Sequence, residues 1–432
     1  MKTFVWKELS VPERKAALAR PENRRDPAVA ARVKAIFDDI ENKGFAALSD
    51  WAVKLDGHAP DAVRLDVKTV DAARAQLTGD DLAAMELAVE NVRAFQAAEL
   101  PGDGPVISPK DGLSLQRVYR PLTTAGLYAP GGTAPLFSTL IMTAVPALVA
   151  GVKNRVCITP PAKDGSIHPM MIAAGAASGL EQVWRVGGAH GIAALALGVL
   201  EGIPAADKIF GPGNKYVAEA KRYATERVAG LAIDMPAGPS ELLVIADDSA
   251  NVKLVAADLL SQAEHDADAQ VILVALSANI AGRIAAEVAV QVERLPRAAI
   301  AKASLDQARV FIVSSLEDAA EVSNLYGPEH LAIQVGNLDA LIPQLTAAGT
   351  IFAGTYAAET FGDYAAGPSH VLPTDGAAKA WDGITVRSFL TSFVVQRASK
   401  AGAAAIAPAA ARLARLEGLE AHALAADFRL DV

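Results

Sequence analysis

Apolar residues recur at helical spacing over the first hundred residues of the chain. Between positions 27 and 100 they hold one helix face at three- and four-residue steps, as in Val29, Val33, Ile36, Ile40 and Phe45, and later Met85, Val89, Val92 and Phe95. Residues 1–24 lack this stripe and run into a charged, proline-marked segment. We therefore predict an N-terminal arm followed by a helical region.

From residue 124 onward, short β-rich runs alternate with alanine-rich helical runs. A first set predicts strands at 156–159, 182–186 and 208–210, with helices at 138–150, 169–177 and 191–200. A second set predicts strands at 242–246, 271–275, 310–313 and 350–352, with helices at 252–265, 280–295, 316–325 and 338–347. Such alternation is typical of a parallel sheet covered by helices on both faces. The predicted fold is α/β, with two doubly wound Rossmann-like modules, a helical N-terminal arm and a small C-terminal helical extension.

Glycine-rich turns follow the predicted strands of the first module, at 128–132, 186–190 and 210–214. Ligands bind outside the carboxyl ends of strands in open parallel sheets, and glycine lets backbone amides approach a phosphate. None of the turns has the G-x-G-x-x-G spacing of a dinucleotide fingerprint. Ordinary strand-to-helix turns remain the alternative to a nucleotide-like ligand.

Composition narrows the class of protein. The 432 residues suffice for two to four domains, and the net charge of −9 disfavours nucleic acid or an anionic membrane as a partner. The N-terminus lacks the apolar core of a signal peptide. The apolar stretch 135–152 is interrupted by Ser138, Thr139, Thr143 and Pro146, which favours a buried helix over a membrane span. We expect a cytoplasmic protein.

The single cysteine, Cys157, excludes an internal disulfide and any multi-cysteine metal site. Its neighbours are apolar, so we predict a buried strand thiol rather than a nucleophile. Oxidation of an aldehyde through a thiohemiacetal would need a reactive cysteine, and this chain does not offer one.

A metal site is suggested at the end of the predicted helix 252–265. Gln262 and His265 stand three residues apart and so project from one helix face, where an amide oxygen beside an imidazole suits mixed N and O ligation. Asp363, in the glycine- and proline-rich loop 362–374, and His422, in a helix-like terminal segment, would complete a site for zinc or a similar divalent ion. Solvated polar side chains are the alternative for each residue taken singly.

Glu329 and His330 are adjacent behind a Gly-Pro turn. Neighbouring residues point in different directions, so the pair can serve two distinct proton transfers. A surface Glu-His pair without chemistry is the alternative.

Taken together, these motifs resemble the histidinol dehydrogenase family. The runs that carry the resemblance, in the family's order, are LYAPGGTAPL at 127–136, IFGPGNKYV at 209–217, IDMPAGPSE at 233–241, LSQAEH at 260–265, YGPEHL at 326–331 and HVLPT at 370–374. The resemblance covers nearly the whole chain and includes EGLEAH at 417–422.

The resemblance implies a zinc-dependent, four-electron oxidation of L-histidinol to L-histidine through L-histidinaldehyde with two NAD, in histidine biosynthesis. It implies a homodimer that exchanges C-terminal tails, with one zinc per protomer held by Gln262, His265, Asp363 and, from the other subunit, His422. Positions that hold the substrate or do its chemistry would be Ser240, Gln262, His265, Glu329, His330, Asp363, His370, Glu417 and His422. Tyr128, His190 and Asn214 would contact NAD.

The implied roles agree with the chemistry of the side chains. Zinc would orient histidinol through its imidazole and amine. His330 would take the hydroxyl proton, and Glu329 would activate water to hydrate the aldehyde.

The implied domain organisation is discontinuous. Residues 1–24 would form the arm, 25–127 with 238–380 the zinc and substrate domain, and 128–237 the NAD-binding domain. Residues 381–432 would reach the partner's active site.

Other functions remain open at this point. The family usually has glutamine where this chain has His190, and relatives oxidise other small polar alcohols such as a sulfonated propanediol. A zinc hydrolase using Glu329 and His330, or a non-catalytic binding protein, would explain part of the same pattern. Formation of NADH separates the dehydrogenases from both.

Overall fold

The computed structural model describes residues 1–21, 26–131, 135–235 and 238–431. The predicted end of the arm at residue 24, Gly132 of the first glycine turn and the predicted module boundary at 237 lie outside these ranges. The strands, in chain order, are β1 (Lys2–Val5), β2 (Ala62–Arg64), β3 (Ile107–Lys110), β4 (Leu113–Pro121), β5 (Thr124–Tyr128), β6 (Asn154–Thr159), β7 (Gln182–Arg185), β8 (Lys208–Phe210), β9 (Ala232–Ile233), β10 (Glu241–Ala246), β11 (Gln270–Ala275), β12 (Arg309–Ile312), β13 (His330–Gln334), β14 (Thr350–Ala353) and β15 (Leu390–Ala398).

The helices cover the faces of the sheets. They are α1 (Val11–Ala17), α2 (Pro27–Lys43), α3 (Phe45–Asp56), α4 (Val67–Arg74), α5 (Gly79–Glu99), α6 (Phe137–Val149), α7 (Pro169–Ala177), α8 (Gly188–Leu197), α9 (Lys215–Arg227), α10 (Val252–Ala263), α11 (Ala278–Gln291), α12 (Ala298–Gln307), α13 (Leu316–Tyr326), α14 (Leu338–Leu341), α15 (Glu359–Tyr364), α16 (Lys400–Leu416) and α17 (Glu420–Asp427). Short 3₁₀ turns occupy Trp6–Glu8, Val292–Arg294, Ile342–Gln344, Ala377–Lys379, Val386–Phe389 and Phe428–Leu430. Within the described ranges, no helix combines the length and the apolar character that crossing a bilayer requires.

The first sheet has the strand order β2-β7-β6-β5-β8-β9 and is parallel except at β2, which runs antiparallel to β7. Its central strand β5 is buried at every position, as expected when helices cover both faces. Helices α5, α6 and α7 bury one face, and α2, α3, α8 and α9 bury the other.

The second sheet has the order β1-β12-β11-β10-β13-β14 and is parallel throughout. Helices α10, α11 and α12 cover one face, and α13, α14 and the apolar residues of the arm cover the other. The predicted α/β class with two doubly wound modules is therefore confirmed.

Helix α2 shows how local sequence and packing agree. Asp26 caps it by accepting the backbone N–H groups of Ala28 and Val29, and Pro27 supplies a favourable first position. The predicted apolar stripe faces inward, with Val29, Val33, Ile36 and Ile40 buried. The ring of the neighbouring Phe37 packs edge-on against Tyr223 of α9, with 5.1 Å between the centroids.

This packing places residues 27–56 on the first sheet, because their apolar surface matches α8 and α9. The predicted grouping of 25–127 with 238–380 differs from that arrangement. The N-terminal arm also forms part of a module, since its strand β1 adds a parallel strand to the edge of the second sheet.

The C-terminal extension is only partly helical. Its strand β15 pairs antiparallel with β4, from Leu390 opposite Pro121 to Ala398 opposite Leu113, and β3 completes a third, three-stranded sheet. Helices α16 and α17 then pack on each other. The extension predicted as helical therefore contains two helices and, in addition, one strand.

Several predicted helices end earlier than expected, α10 and α14 among them. Helix α10 stops at Ala263, and the backbone N–H of His265 bonds to the carbonyl of Gln262, so the chain tightens into a final turn. Helix α14 stops at Leu341 and is followed by the 3₁₀ turn Ile342–Gln344, in which Pro343 takes an early position where no backbone N–H is needed.

Candidate active site

A cavity of about 190 Å³ lies where the two sheets meet. On one side it is lined by Gly211 and Asp234, which follow strands β8 and β9 at the carboxyl edge of the first sheet. On the other side lie Ser240, just before β10, and Glu329 with His330, at the start of β13. The carboxyl edge of the first sheet therefore faces the amino edge of the second, so neither module encloses the site alone.

The structure brings together six of the nine residues predicted to hold the substrate or do its chemistry. The residues that line the cavity are Ser240, His265, Glu329, His330, Asp363 and His370. Among the described residues, the lining does not include Gln262, Glu417 or His422.

Glu329 and His330 are presented by the turn between α13 and β13. Gly327 ends α13 in the left-handed region, with φ of 64°, and the strand begins three residues later. Strand β10 fixes both side chains through one residue: the N–H of Glu241 donates to Glu329 Oε2 at 2.8 Å, and the carbonyl of Glu241 lies 3.2 Å from His330 Nδ1.

The surroundings of His330 define its tautomer. Nδ1 faces the carbonyl of Glu241 at 3.2 Å, Glu359 Oε1 at 3.3 Å and Glu329 Oε2 at 3.7 Å, so this nitrogen carries the proton. Nε2 makes no hydrogen bond within the described part of the chain, and Asp363 Oδ1 lies 3.5 Å from it. A neutral His330 therefore directs an unprotonated nitrogen toward the cavity.

Burial and charge act in opposite directions on this group. Burial alone would lower the pKa of His330, but the carboxylates of Glu329, Asp363 and Glu359 outweigh it and raise that pKa to about 10. Burial raises the pKa of Glu329 to about 8. His330 is therefore protonated on both ring nitrogens at neutral pH as long as no cation enters the cavity.

Asp363 and His370 join the cavity to the first module. His370 Nδ1 donates to the backbone carbonyl of Asp363 at 2.7 Å, and its Nε2 lies 3.0 Å from the hydroxyl of Thr139 on α6. Burial works against ionisation of Asp363, but the adjacent His330 imidazole, together with the nearby His370 and His265, lowers its pKa overall. Asp363 is therefore a carboxylate at neutral pH.

Helix α10 ends between Gln262 and His265, and the N–H of His265 bonds to the Gln262 carbonyl in the final turn; Gln262 is fully buried and His265 is exposed at the cavity. Neither amide atom of Gln262 has a hydrogen-bond partner in the described chain. An unsatisfied buried amide is costly and calls for a ligand. Desolvation lowers the pKa of His265, which keeps the imidazole neutral, as metal ligation requires. With the ionised Asp363 nearby, this donor set fits a divalent ion.

Sequence reasoning missed Glu359. It lies on α15 one turn before Asp363, and His330, Glu359 and Asp363 offer ligand atoms within 4.8 Å of one another. Its Oε2 accepts the hydroxyl of Ser261 at 3.0 Å, and burial raises its pKa to about 7. The i, i+4 spacing to Asp363 is the signal that could have identified it.

Sequence reasoning also missed a buried ion pair of the first module. Lys221 pairs with Asp234 and donates to the carbonyl of Gly211 at 2.9 Å, while the N–H of Gly211 donates to Asp234 at 2.8 Å. A Cβ at Gly211, whose φ is 113°, would lie 2.0 Å from the carbonyl oxygen of Tyr128. The Lys221–Asp234 ion pair therefore holds the turn at Gly211, a position where only glycine fits.

The residues predicted to contact NAD lie along the carboxyl edge of the first sheet. Tyr128 ends β5 and is buried, and burial raises its pKa to about 12. Asn214 is exposed and caps α9, accepting the N–H groups of Tyr216 and Val217, so its amide N–H₂ is left to donate. His190 is buried in α8, with Nε2 2.9 Å from Asp56.

Glu417 and His422 are exposed on the C-terminal helices. The apolar side chains Leu413, Leu416 and Phe428 near them are exposed as well. Among the described residues, neither of them lines this chain's own cavity, and their entry into the partner's active site stays a prediction.

Comparison with known proteins gives one consistent result. A family model described as histidinol dehydrogenase matches residues 18–430. A histidinol dehydrogenase of Xanthomonas oryzae pv. oryzae is 43% identical over 432 residues, covering 100% of both chains. One of Salmonella choleraesuis is 42% identical over 429 residues, covering 99% of this chain and 97% of its own.

A solved structure is similar over the same length. The crystal structure of histidinol dehydrogenase from Elizabethkingia anophelis superimposes with a TM-score of 0.94 at 38% identity, covering 100% of this chain and 98% of that one.

Proposed function

The chain belongs to the histidinol dehydrogenase family of NAD-dependent oxidoreductases, and we propose that it oxidises L-histidinol to L-histidine through L-histidinaldehyde with two NAD. Family membership supports histidinol oxidation in histidine biosynthesis, and a cytoplasmic location suits that role. The observation that supports the two-step chemistry is the buried Glu329–His330 pair, in which His330 Nε2 faces the cavity and has no hydrogen-bond partner among the described residues.

The proposed reaction balances in two oxidations. The primary alcohol loses a proton and a hydride and becomes the aldehyde. Addition of water gives the gem-diol, and loss of a second hydride and proton gives the carboxylic acid, which ionises. NAD, when bound, accepts the hydride in each oxidation.

His330 takes the hydroxyl proton of the alcohol. Its Nδ1 proton is held by the Glu241 carbonyl and Glu359, and the imidazolium formed at Nε2 is stabilised by the Asp363 carboxylate 3.5 Å away. The cationic amine of histidinol or a metal ion in the cavity would offset the carboxylates that raise the pKa of His330. Substrate binding thus favours the neutral imidazole that acts as the base.

Glu329 takes a proton from the water that hydrates the aldehyde. One of its oxygens is occupied by the N–H of Glu241, and the side chain lines the cavity, which leaves the other oxygen for water. With the only cysteine buried away from the site, this route needs no covalent thiohemiacetal.

Zinc would be held by Gln262, His265, Asp363 and His422 of the partner subunit, in a homodimer that exchanges C-terminal tails. When bound it would orient the imidazole and amine of histidinol. The unpaired amide of Gln262, the neutral His265 and the ionised Asp363 support this assignment. The exposure of His422 and of the apolar residues around it supports contribution to another subunit.

NAD would lie along the carboxyl edge of the first sheet, beside Tyr128, His190 and Asn214. His190 keeps a fixed orientation through Asp56, which also accepts the N–H of Gly187 at 2.9 Å. The buried pair ties the glycine turn to α3 and supports the backbone there.

Replacing His265 or His422 with alanine should lower the zinc content of the purified protein. Each change removes one of four ligands, so the metal-to-protomer ratio should fall from about one toward zero after dialysis. Elemental analysis of the dialysed protein measures the ratio. His58→Ala is the matched control, because His58 is a partly exposed histidine that does not line the cavity among the described residues. An unchanged ratio in His422→Ala would contradict the exchange of tails.

Cys157 should be dispensable. The thiol is buried and burial raises its pKa to about 12, so almost no thiolate forms at neutral pH. Cys157→Ala should retain both oxidation steps within about a factor of two. Iodoacetamide should label the wild-type protein only after unfolding. Loss of the aldehyde step in the variant would refute the thiol-independent route.

The choice of substrate is tested by NADH formation from a panel of alcohols. L-Histidinol should be turned over with far higher kcat/KM than a sulfonated propanediol, since Glu417 and His422 suit the imidazole end of histidinol. Preference for the sulfonated alcohol would assign the chain to a different substrate within the family. Hydrolysis without NADH would instead favour a zinc hydrolase.

A further inference from the structure

An ion pair lies directly behind the Glu329–His330 pair, on the side away from the cavity. Arg20 of the arm forms a forked contact with Glu241: its Nε bonds to Oε1 and one terminal nitrogen lies 2.8 Å from Oε2. The Glu241 side chain is fully buried, and the Arg20 side chain is 16% exposed. Neither residue lines the cavity among the described residues, so neither would touch the substrate.

The guanidinium of Arg20 also holds the turn that precedes Glu329. Its central carbon lies 3.7 Å from the ring centroid of Tyr326, and a terminal nitrogen donates to the carbonyl of Gly327 at 3.3 Å. Tyr326 is buried and ends α13. Arg20 thus contacts both strand β10, through Glu241, and the turn that leads into β13.

The backbone of Glu241 connects the Arg20 contact to the two reactive side chains. Its N–H fixes Glu329 and its carbonyl fixes His330 Nδ1. Glu241 Oε1 also accepts the N–H of Asp375 at 3.1 Å, and that residue ends the loop carrying His370. One residue, Glu241, therefore connects the arm and the cavity loop through its carboxylate and the catalytic pair through its backbone.

The remaining support comes from the arm itself. Arg309 of β12 donates to the carbonyls of Ala17 and Ala19, at 3.1 and 2.8 Å, and to the side-chain oxygen of Gln270. These bonds fix the backbone immediately before Arg20. The guanidinium is thereby held at a defined position rather than on a free segment.

We propose that Arg20 is a positioning residue for the oxidation reactions, acting through Glu241 to orient Glu329 and His330. The N-terminal arm is then part of the catalytic apparatus and not only an edge strand of the second sheet. This inference rests on the proposed function for its kinetic test. It also makes a prediction about His330 that does not depend on turnover.

The test compares Arg20→Lys with Arg14→Lys. Arg14 is a matched control: it also belongs to the arm, lies over an aromatic ring (Trp6, 4.5 Å) and pairs with a carboxylate (Glu321, 3.1 Å), but it does not contact Glu241. Lysine keeps the positive charge, but it cannot contact both oxygens of a carboxylate with two nitrogens as arginine does.

Arg20→Lys should lower kcat for both histidinol and supplied histidinaldehyde by roughly 10- to 100-fold, because a small misplacement of reacting groups is costly. KM for histidinol and zinc content should stay near the wild-type values. Arg14→Lys should keep kcat within about a factor of two. Equal kcat in the two variants, or a loss that follows only the fraction of folded protein, would overturn the proposal.

Two further measurements separate this inference from the proposed function and from misfolding. The imidazole NMR signal of His330, assigned by its loss in His330→Gln, should move in Arg20→Lys and not in Arg14→Lys, whichever alcohol is the substrate; an unmoved signal would overturn the proposal. If Arg20→Lys does not fold, the double variant Arg20→Met/Glu241→Met removes both buried charges together. Its kcat should also fall, and wild-type kcat in that variant would refute the positioning role.

Discussion

Replacing His330 with glutamine should lower kcat for histidinol oxidation by about 10²- to 10⁴-fold, the range expected when a general base is lost. Glutamine can keep a hydrogen bond to the Glu241 carbonyl, but it cannot accept the hydroxyl proton that Nε2 would take. KM should change much less than kcat, since the cavity walls, and the metal when bound, would provide most of the substrate contacts. Steady-state NADH formation from L-histidinol measures both constants.

The same variant should change the pH dependence. Because the neighbouring carboxylates raise the pKa of His330, the rate of the wild-type enzyme should increase with pH as the imidazole loses its proton. His330→Gln should lose that increase. His58→Gln, a substitution at a partly exposed histidine outside the cavity, should retain it. Near-normal rates in His330→Gln would remove this residue from the mechanism.

Replacing Glu329 with glutamine should impair the aldehyde step more than the alcohol step. The amide can still accept the N–H of Glu241, so the local fold is preserved, but it cannot take a proton from water. Oxidation of supplied histidinaldehyde should fall by about 10²- to 10⁴-fold. Formation of the first NADH from histidinol should fall less, and single-turnover kinetics separate the two steps.

Glu359→Gln is the matched control for that experiment. Glu359 is also a buried carboxylate beside His330 Nδ1, but among the described residues it does not line the cavity. Replacing Glu359 removes a carboxylate that faces the Nδ1 proton of His330, so it should slow both oxidation steps by similar factors. Unimpaired oxidation of the aldehyde by Glu329→Gln would contradict the role of Glu329 in activating water.

The fold class could be predicted from sequence because the pattern of strands is strong. Strands β10 and β11 each carry five consecutive apolar residues after a polar first residue, and both are buried at every position, as central parallel strands must be. Strand β13 escaped prediction because only three apolar residues stand between His330 and Gln334. So short an apolar run gives a weak signal for a strand.

The site could be predicted as a set of residues but not as an arrangement. The hydrogen bond between Glu241 and Glu329 joins residues 88 positions apart, and it depends on the register of β10 against β13. Local spacing carries no information about that register. For the same reason the spacing of Gln262 and His265 suggests a shared helix face, although the helix ends between them.

The connection between the arm and the catalytic pair was equally inaccessible. Arg20 precedes Glu241 by 221 positions, and only the packing of the arm on the second sheet brings their side chains together. Residues that another subunit would supply are even harder to place from the sequence. A single chain gives their identity and exposure, as for Glu417 and His422, but not the site they enter.

The most direct test of the central claim is the yield of NADH per L-histidinol consumed by the purified protein, measured with and without a chelator. If the protein is a zinc-dependent four-electron dehydrogenase, we expect two NADH for each histidinol. We also expect this activity to be lost on chelation and to recover on addition of zinc. A yield of one NADH with accumulation of aldehyde, or full activity in the chelated protein, would contradict this function.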